Sequence, residues 1–145
     1  MPIINKENYE FKIGRAIKLR EGDDVSIFAT GSMVYQSLKA AELLSDEGVS
    51  ASVINIHTIK PLYTDAVNSS LNSKLIVTAE EGLLHGGLSS MIQRHLSGKT
   101  KRPPVLALGI NDIFPPAGSY SYMLEQLGLT TSRIAESIVR RLDIK

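Results

Sequence analysis

A layered α/β domain on a mostly parallel sheet is the fold class this sequence predicts, and three observations carry the expectation. Short apolar runs rich in β-branched residues alternate with longer stretches of helical spacing. Those short runs are apolar at nearly every position rather than at every second one, as strands covered on both faces must be. The composition, 145 residues with 43% hydrophobic and 21% charged, suits one ordinary soluble domain. At this size folding removes roughly 68–70% of the unfolded surface from water, enough for a core without disulfide or metal staples.

Taken in order, residues 1–22 read as an N-terminal arm that leads to a turn at Glu21-Gly22-Asp23-Asp24, and residues 23–145 read as the domain. The strand candidates are residues 25–30 (VSIFAT), 51–56 (ASVINI), 74–79 (KLIVTA) and 105–108 (VLAL). Between the first two, Val34, Leu38, Ala41 and Leu44 recur at helical steps, with Gln36, Lys39 and Glu42 outward and a stop near Gly48. Strand, helix and strand then form a right-handed βαβ unit. A short helix is expected after Thr64, whose hydroxyl is placed to cap it. Leu88, Met91, Ile92, His95 and Leu96 mark one face of a further helix, with Gly98 as a left-handed cap. Residues 119–127 give another helix, stopped by Gly128, with Leu129 packing back. Ile134, Ile138 and Leu142 stripe a terminal helix whose polar side carries Arg133, Glu136, Arg140 and Arg141. No internal repeat or low-complexity tract is visible.

Zero cysteines remove thiol nucleophiles, thiolate zinc sites, iron–sulfur clusters and disulfides, and a reducing cytoplasm is the compartment they suit. With 16 Lys+Arg against 15 Asp+Glu and 6% aromatics there is no broad footprint for nucleic acid or an anionic membrane. The one dense basic spot, Lys99, Lys101 and Arg102, reads as a solvated loop. No segment approaches the ~20 apolar residues that span a bilayer, and the first residues lack the apolar core of a signal peptide. A cytoplasmic location follows as the expectation.

The chemistry-bearing residues cluster at strand ends. Ala29-Thr30-Gly31-Ser32 follows a strand and opens a helix, where free amides can hold an anion; equally, Gly31 can make a tight turn and Ser32 or Thr30 can cap the helix. Glu80-Glu81 precedes a loop with His85-Gly86-Gly87, at the kind of strand end that carries function in open α/β sheets. Adjacent strand residues point to opposite faces, so these carboxylates are not a ready-made acid–base pair; a helix cap, an interface, a ligand contact and catalysis all stand open for them. His57 ends a strand before Thr58-Ile59-Lys60-Pro61, and His95 reads as a core or interface histidine. Three scattered histidines give no metal-ligand spacing, and no Ser/His/Asp arrangement is present. The candidate ligand or interface set is therefore Gly31, Ser32, His57, Glu80, Glu81, His85, Gly86 and Gly87, with no residue assigned to catalysis or to a metal.

Several motifs, each weak alone, carry a resemblance by their joint order. They are Phe11-Lys12-Ile13-Gly14-Arg15-Ala16, Leu19-Arg20-Glu21-Gly22-Asp23-Asp24-Val25, Ala29-Thr30-Gly31-Ser32 and Ala40-Ala41-Glu42-Leu43-Leu44. After them come Val53-Ile54-Asn55-Ile56-His57-Thr58-Ile59-Lys60-Pro61-Leu62, Thr78-Ala79-Glu80-Glu81, His85-Gly86-Gly87-Leu88, Gly109-Ile110-Asn111-Asp112, Gly118-Ser119 and Leu127-Gly128-Leu129. Together, over roughly residues 11–142, they resemble the C-terminal domain of transketolase-type, thiamine-diphosphate-dependent enzymes, most of all the C-terminal section of a transketolase encoded in two pieces. Similar domains close deoxyxylulose-phosphate synthases and the beta subunits of 2-oxoacid dehydrogenases. The sequence departs from the family pattern at Tyr63, where an Asp is usual, and in the order Leu83-Leu84-His85.

The resemblance implies a three-layer α/β/α sandwich with a mostly parallel five-stranded sheet, one strand antiparallel, which leaves one edge strand without a placed segment. It implies a complete enzyme that moves two-carbon ketol units between sugar phosphates. Thiamine diphosphate and Mg are held there by two other domains, so this chain binds no cofactor and is inactive alone. Its expected partners are those thiamine-binding domains or subunit and a second copy of itself in a homodimer. Two rival readings are a stand-alone regulatory module that binds an anion at the strand ends, and an autonomous enzyme.

Overall fold

The computed structural model describes residues 2–5 and 8–143. The elements run β1 (Ile17–Arg20), β2 (Val25–Ala29), α1 (Met33–Asp46), β3 (Ala51–Asn55), α2 (Thr64–Asn68), β4 (Leu75–Leu83), α3 (Leu88–Ser97), β5 (Val105–Ile110), α4 (Tyr120–Gln126) and α5 (Thr131–Arg141). One five-stranded sheet takes the order β1-β3-β2-β4-β5, with β1 antiparallel to β3 and the rest parallel. The strand that periodicity left unplaced is thus β1, inside the segment read as an arm: four of its residues pair into the sheet.

Alternation along the central strands sends side chains to two cores. Val25, Ile27, Val53 and Val77 pack with Ala40, Ala41 and Leu44 of α1 and Ile134 and Ile138 of α5. Phe28, Ile54 and Ile76 point the other way, onto Val67 of α2 and Leu88, Ile92 and Leu96 of α3. Helices therefore cover both faces, as the continuous apolar runs require, and each fully buried large side chain contributes about 1.5–3 kcal/mol. Among the described residues no helix is long and apolar enough to cross a membrane.

Helix ends show where local chemistry was read correctly and where it was not. Gly48 takes φ 76°, Val49 N donates to Leu44 O and Gly48 N to Ser45 O, the paired closure that only a left-handed residue permits cheaply. Gly128 repeats it for α4, with Leu129 buried. Gly98 does not: its φ is −81°, and Lys99 N simply bonds back to Leu96 O. Thr64 also corrects the expectation. It is already the first residue of α2, one position past the cap, so its hydroxyl makes no capping bond.

The amino ends of β2, β3 and β4 are tied together by Asp24. Its carboxylate accepts from Ser50 N at 2.9 Å and pairs with Lys74 Nζ at 2.8 Å. The Lys74 ammonium, then the Ser50 amide, hold the Asp24 carboxyl below its ordinary range. A depressed folded value means that stability is present above the unfolded value and is lost as pH falls through the folded one. Asp24→Ala is expected to cost roughly 1 kcal/mol at pH 7, allowing for solvent screening of Lys74, and progressively less as pH falls below the ordinary carboxylate range. Urea denaturation of both proteins over that fall in pH checks it; an equal deficit at both ends would remove the ionic tie.

Candidate functional site

The order β3-β2-β4 places the topological switch of this sheet at β2: one crossover leaves it toward β3, and the next connection jumps back past it to β4. The crevice outside the carboxyl ends at that point is lined by Thr30, Gly31, Ser32, Ile59, Glu80, Glu81 and Gly82. Strand register brings these segments level, with Phe28 opposite Thr78 and Ala29 opposite Ala79. Gly31, at φ 60°, turns the chain sharply from β2 into α1.

Glu80 and Glu81 lie within β4, which runs to Leu83 with a register shift against β5 between Ala79 and Leu83. They point apart. Glu80 is 4% exposed, and its two oxygens accept from Leu88 N at 2.8 Å and Ser89 N at 2.9 Å, capping the first turn of α3. A carboxylate there also meets the positive end of the helix dipole. Gly87 is required beside it, because a Cβ would sit 2.0 Å from Glu80 Oε2.

Glu81 is exposed and gathers two donors. The Ser32 hydroxyl and the Tyr120 phenol, at 2.7 Å, both donate to Glu81 Oε2. Ser32 is thereby drawn away from α1, whose N-terminus has no side-chain cap. The Ser32 hydroxyl lowers the Tyr120 phenol, but burial and the Glu81 carboxylate raise it further, to a net upward shift. Tyr120 stays protonated at neutral pH and remains a donor. The cluster joins the β2–α1 turn, β4 and the start of α4.

His57 sits farther along the same edge, after β3. Its Nδ1 lies 3.3 Å from Thr58 Oγ1, its ring is 4.5 Å from that of Phe11, and its Nε2 is buried without a partner. The arm is stitched down here. Gly14 N donates to Thr58 Oγ1, while Arg15 donates to the Tyr63 hydroxyl at 2.7 Å and lies over that ring. Tyr63, the departure from the family pattern, is the arm's anchor. His85 is exposed, Gly86 N donates to Ser90 Oγ, and His95 pairs with Asn68 on the outer surface. The structure thus brings Gly31, Ser32, Glu80 and Glu81 around one crevice and leaves His57, His85 and Gly86 on the same edge outside it.

No histidine hydrogen-bonds to Ser32 or Glu81, so Ser32 has only a weak carboxylate base and no relay. Among the described residues no group of three or more metal-ligating side chains occurs. The crevice is lined by two carboxylates and no Lys or Arg, which does not fit a diphosphate. Sequence reasoning missed Tyr120 and the loop before it. Its signal was present, since Ile113-Phe114-Pro115-Pro116 is an apolar run where a solvated loop was due; residues 111–122 are all exposed, Phe114 completely.

The sequence profile of the transketolase C-terminal domain matches residues 14–134. This chain belongs to that family. A 6-deoxy-6-sulfo-D-fructose transketolase subunit, SqwH, from Clostridium sp. is 42% identical over 135 residues, which make up 92% of this chain and 42% of that protein. A 1-deoxy-D-xylulose-5-phosphate synthase from Cyanothece sp. is 41% identical over 131 residues, 89% of this chain and 21% of the synthase. Among solved structures, a split gene transketolase described as an inactive beta4 tetramer superimposes with a TM-score of 0.90 at 33% identity, over 99% of this chain and 47% of that one. The transketolase of Campylobacter jejuni, at 18% identity and a TM-score of 0.69, shares the fold. This transketolase C-terminal domain therefore spans less than half the length of these relatives.

Proposed function

We propose that this chain is the C-terminal part of a transketolase-like enzyme that transfers two-carbon ketol units between sugar phosphates, and that its task is assembly rather than chemistry. The observation that carries the reading is the exposed apolar band along the carboxyl edge of the sheet. Phe11 and Ile13 stand exposed at the β1 end, Leu83 at the last position of β4, and Ile113, Phe114, Tyr120 and Tyr122 at the β5 end. Aromatic and branched side chains on one edge, beside a crevice without an acid–base pair, suit a surface that a partner covers.

The partner is the thiamine-binding part of the same enzyme, which holds thiamine diphosphate and Mg and carries the catalytic groups. Ser32, Glu81 and Tyr120 set the shape of the crevice, and the edge closes against that part. A homodimer of this chain completes the assembly, in the cytoplasm. The identity to SqwH supports a transketolase; the identity to the Cyanothece synthase favours a second reading, in which the complete enzyme condenses pyruvate with a sugar phosphate.

Mixing the chain with its cognate thiamine-binding part tests both. Ketol transfer is expected from the mixture and not from this chain alone. Activity only with pyruvate as donor selects the second reading. Phe114→Ser with Ile113→Ser is expected to weaken the complex about 100-fold, while the thermal midpoint of the isolated chain moves little, since both side chains are already in water. Equal losses of assembly and folding would remove the interface.

A further inference from the structure

Of the two edges of this sheet, one is guarded and one is bare. β1 has only four residues, carries Lys18 and Arg20, shifts register between them, and has Ile4 and Tyr9 of the arm lining a depression beside Ile17, Lys18 and Leu19. Short length, charge, a bulge and a covering segment are the devices that keep an edge from pairing. β5 differs: the register shift in its ladder lies on the β4 side, and among the described residues no segment pairs with its outer edge. Its six residues, Val105-Leu106-Ala107-Leu108-Gly109-Ile110, include no charge and no proline, and every one is partly exposed. Pro103-Pro104 precede it and Pro115-Pro116 follow its loop, so the prolines bound the strand without interrupting it.

The ladder to β4 says which groups are free. Ile76 N donates to Pro104 O, and Val105 is the register partner of Ile76. In a parallel ladder this turns the backbone groups of the even-numbered residues inward and those of Val105, Ala107 and Gly109 outward. Leu106 and Leu108 meanwhile pack against the cluster formed with α1 and α5. An outward row of three donors and three acceptors, centred on Ala107, is left along the sheet.

We infer that two copies of this chain pair β5 with β5, antiparallel, about a two-fold axis through Ala107, to form one continuous sheet. The charges on either side of the strand single out a second copy as the occupant. With Ala107 opposite Ala107, Val105 faces Gly109 and Arg102 faces Asp112 of the second copy, twice by symmetry. Arg102 and Asp112 are both exposed, and neither has an ion-pair partner among the described residues. A closed two-fold interface needs such self-complementarity, and a displaced register loses both pairs at once. The pairing rests on the homodimer reading above and does not depend on which part the carboxyl edge receives.

Sedimentation equilibrium and hydrogen exchange on the full chain test it. The expected result is a concentration-dependent dimer in which the amides of Val105, Ala107 and Gly109 become protected as the dimer forms. Ala107→Pro removes an outward donor from each copy without touching the β4 ladder and is expected to weaken the dimer about tenfold or more. Arg102→Asp is expected to weaken it as well, and adding Asp112→Arg to restore it. Should Ala107→Pro fail to fold, the exchange pattern and the charge reversal still decide. A chain that stays monomeric, a dimer whose three amides exchange freely, or a double reversal that does not recover would each overturn the proposal. Ketol-transfer activity of the mixture is read separately, so loss of this interface and failure of the transketolase reading remain distinguishable.

Discussion

Glu80→Ala is expected to lower the stability of this domain by about 3–5 kcal/mol, because it leaves two buried amides of α3 without an acceptor and removes a charge from the helix dipole. Each buried unsatisfied donor costs about 1–3 kcal/mol, and the packing of the Glu80 methylenes is minor beside that. For a chain of this size the thermal midpoint should fall by about 10 °C or more. Glu80→Gln keeps the shape and one acceptor oxygen, yet its NH2 group would face the N–H of Leu88 or Ser89 donor to donor, so it should recover only part of the loss. Glu81→Ala, one residue on, should change stability by less than about 1 kcal/mol, since that side chain is exposed. Calorimetry on the three variants checks the series. If Glu80→Ala and Glu81→Ala were equally stable, the assignment of Glu80 as the cap of α3 would be wrong.

The second large effect is expected at Gly22→Ala. Gly22 lies in the β1–β2 turn, where a Cβ would come 2.3 Å from Ala51 C and 2.5 Å from Ser52 N. Both are backbone atoms of β3, so no rotamer change relieves the clash. The turn must lift away, and with it go the bonds between Asp24 and Ser50 that align the amino ends of β2 and β3. A loss of roughly 3–5 kcal/mol is expected, at the upper end of single substitutions. Gly14→Ala makes the contrast: no atom lies within 4 Å of its Cβ, and only its φ of 80° is costly, which predicts a loss of about 1 kcal/mol. Urea midpoints of the two variants separate close approach from backbone conformation, and similar values would argue against the clash.

Local signals explain how much of this was legible beforehand. The stripe of Ile134 and Ile138, the all-apolar runs of β2 and β3, and the left-handed glycines at 48 and 128 state their structure within a few residues, because each feature depends on near neighbours alone. The helix read over residues 119–127 belongs with them, although Ser119 lies just outside it as the cap, accepting from Tyr122 N at the start of α4. Gly98 and Thr64 misled because cap chemistry depends on position to a single residue, and helix ends are set by packing as much as by sequence. β1 was missed for another reason: Ile17-Lys18-Leu19-Arg20 does alternate as a half-buried edge strand should, but four residues are too short a run to separate it from its surroundings, and the strand is fixed only by pairing with β3, more than thirty residues away in the chain.

The sequence by itself determined the class of fold, the family to which the chain belongs, and the fact that two adjacent carboxylates at a strand end face opposite ways. Periodicity, composition and the order of short motifs are properties of the chain that folding does not alter. Only the tertiary structure decided which carboxylate goes inside and which partners each receives. Glu80 is taken inward because α3 docks its first amides over that face of β4, and Glu81 is left outward to meet Ser32 and Tyr120, 49 and 39 residues away. The strand register and the helix packing fix those long-range distances, and no local propensity encodes them.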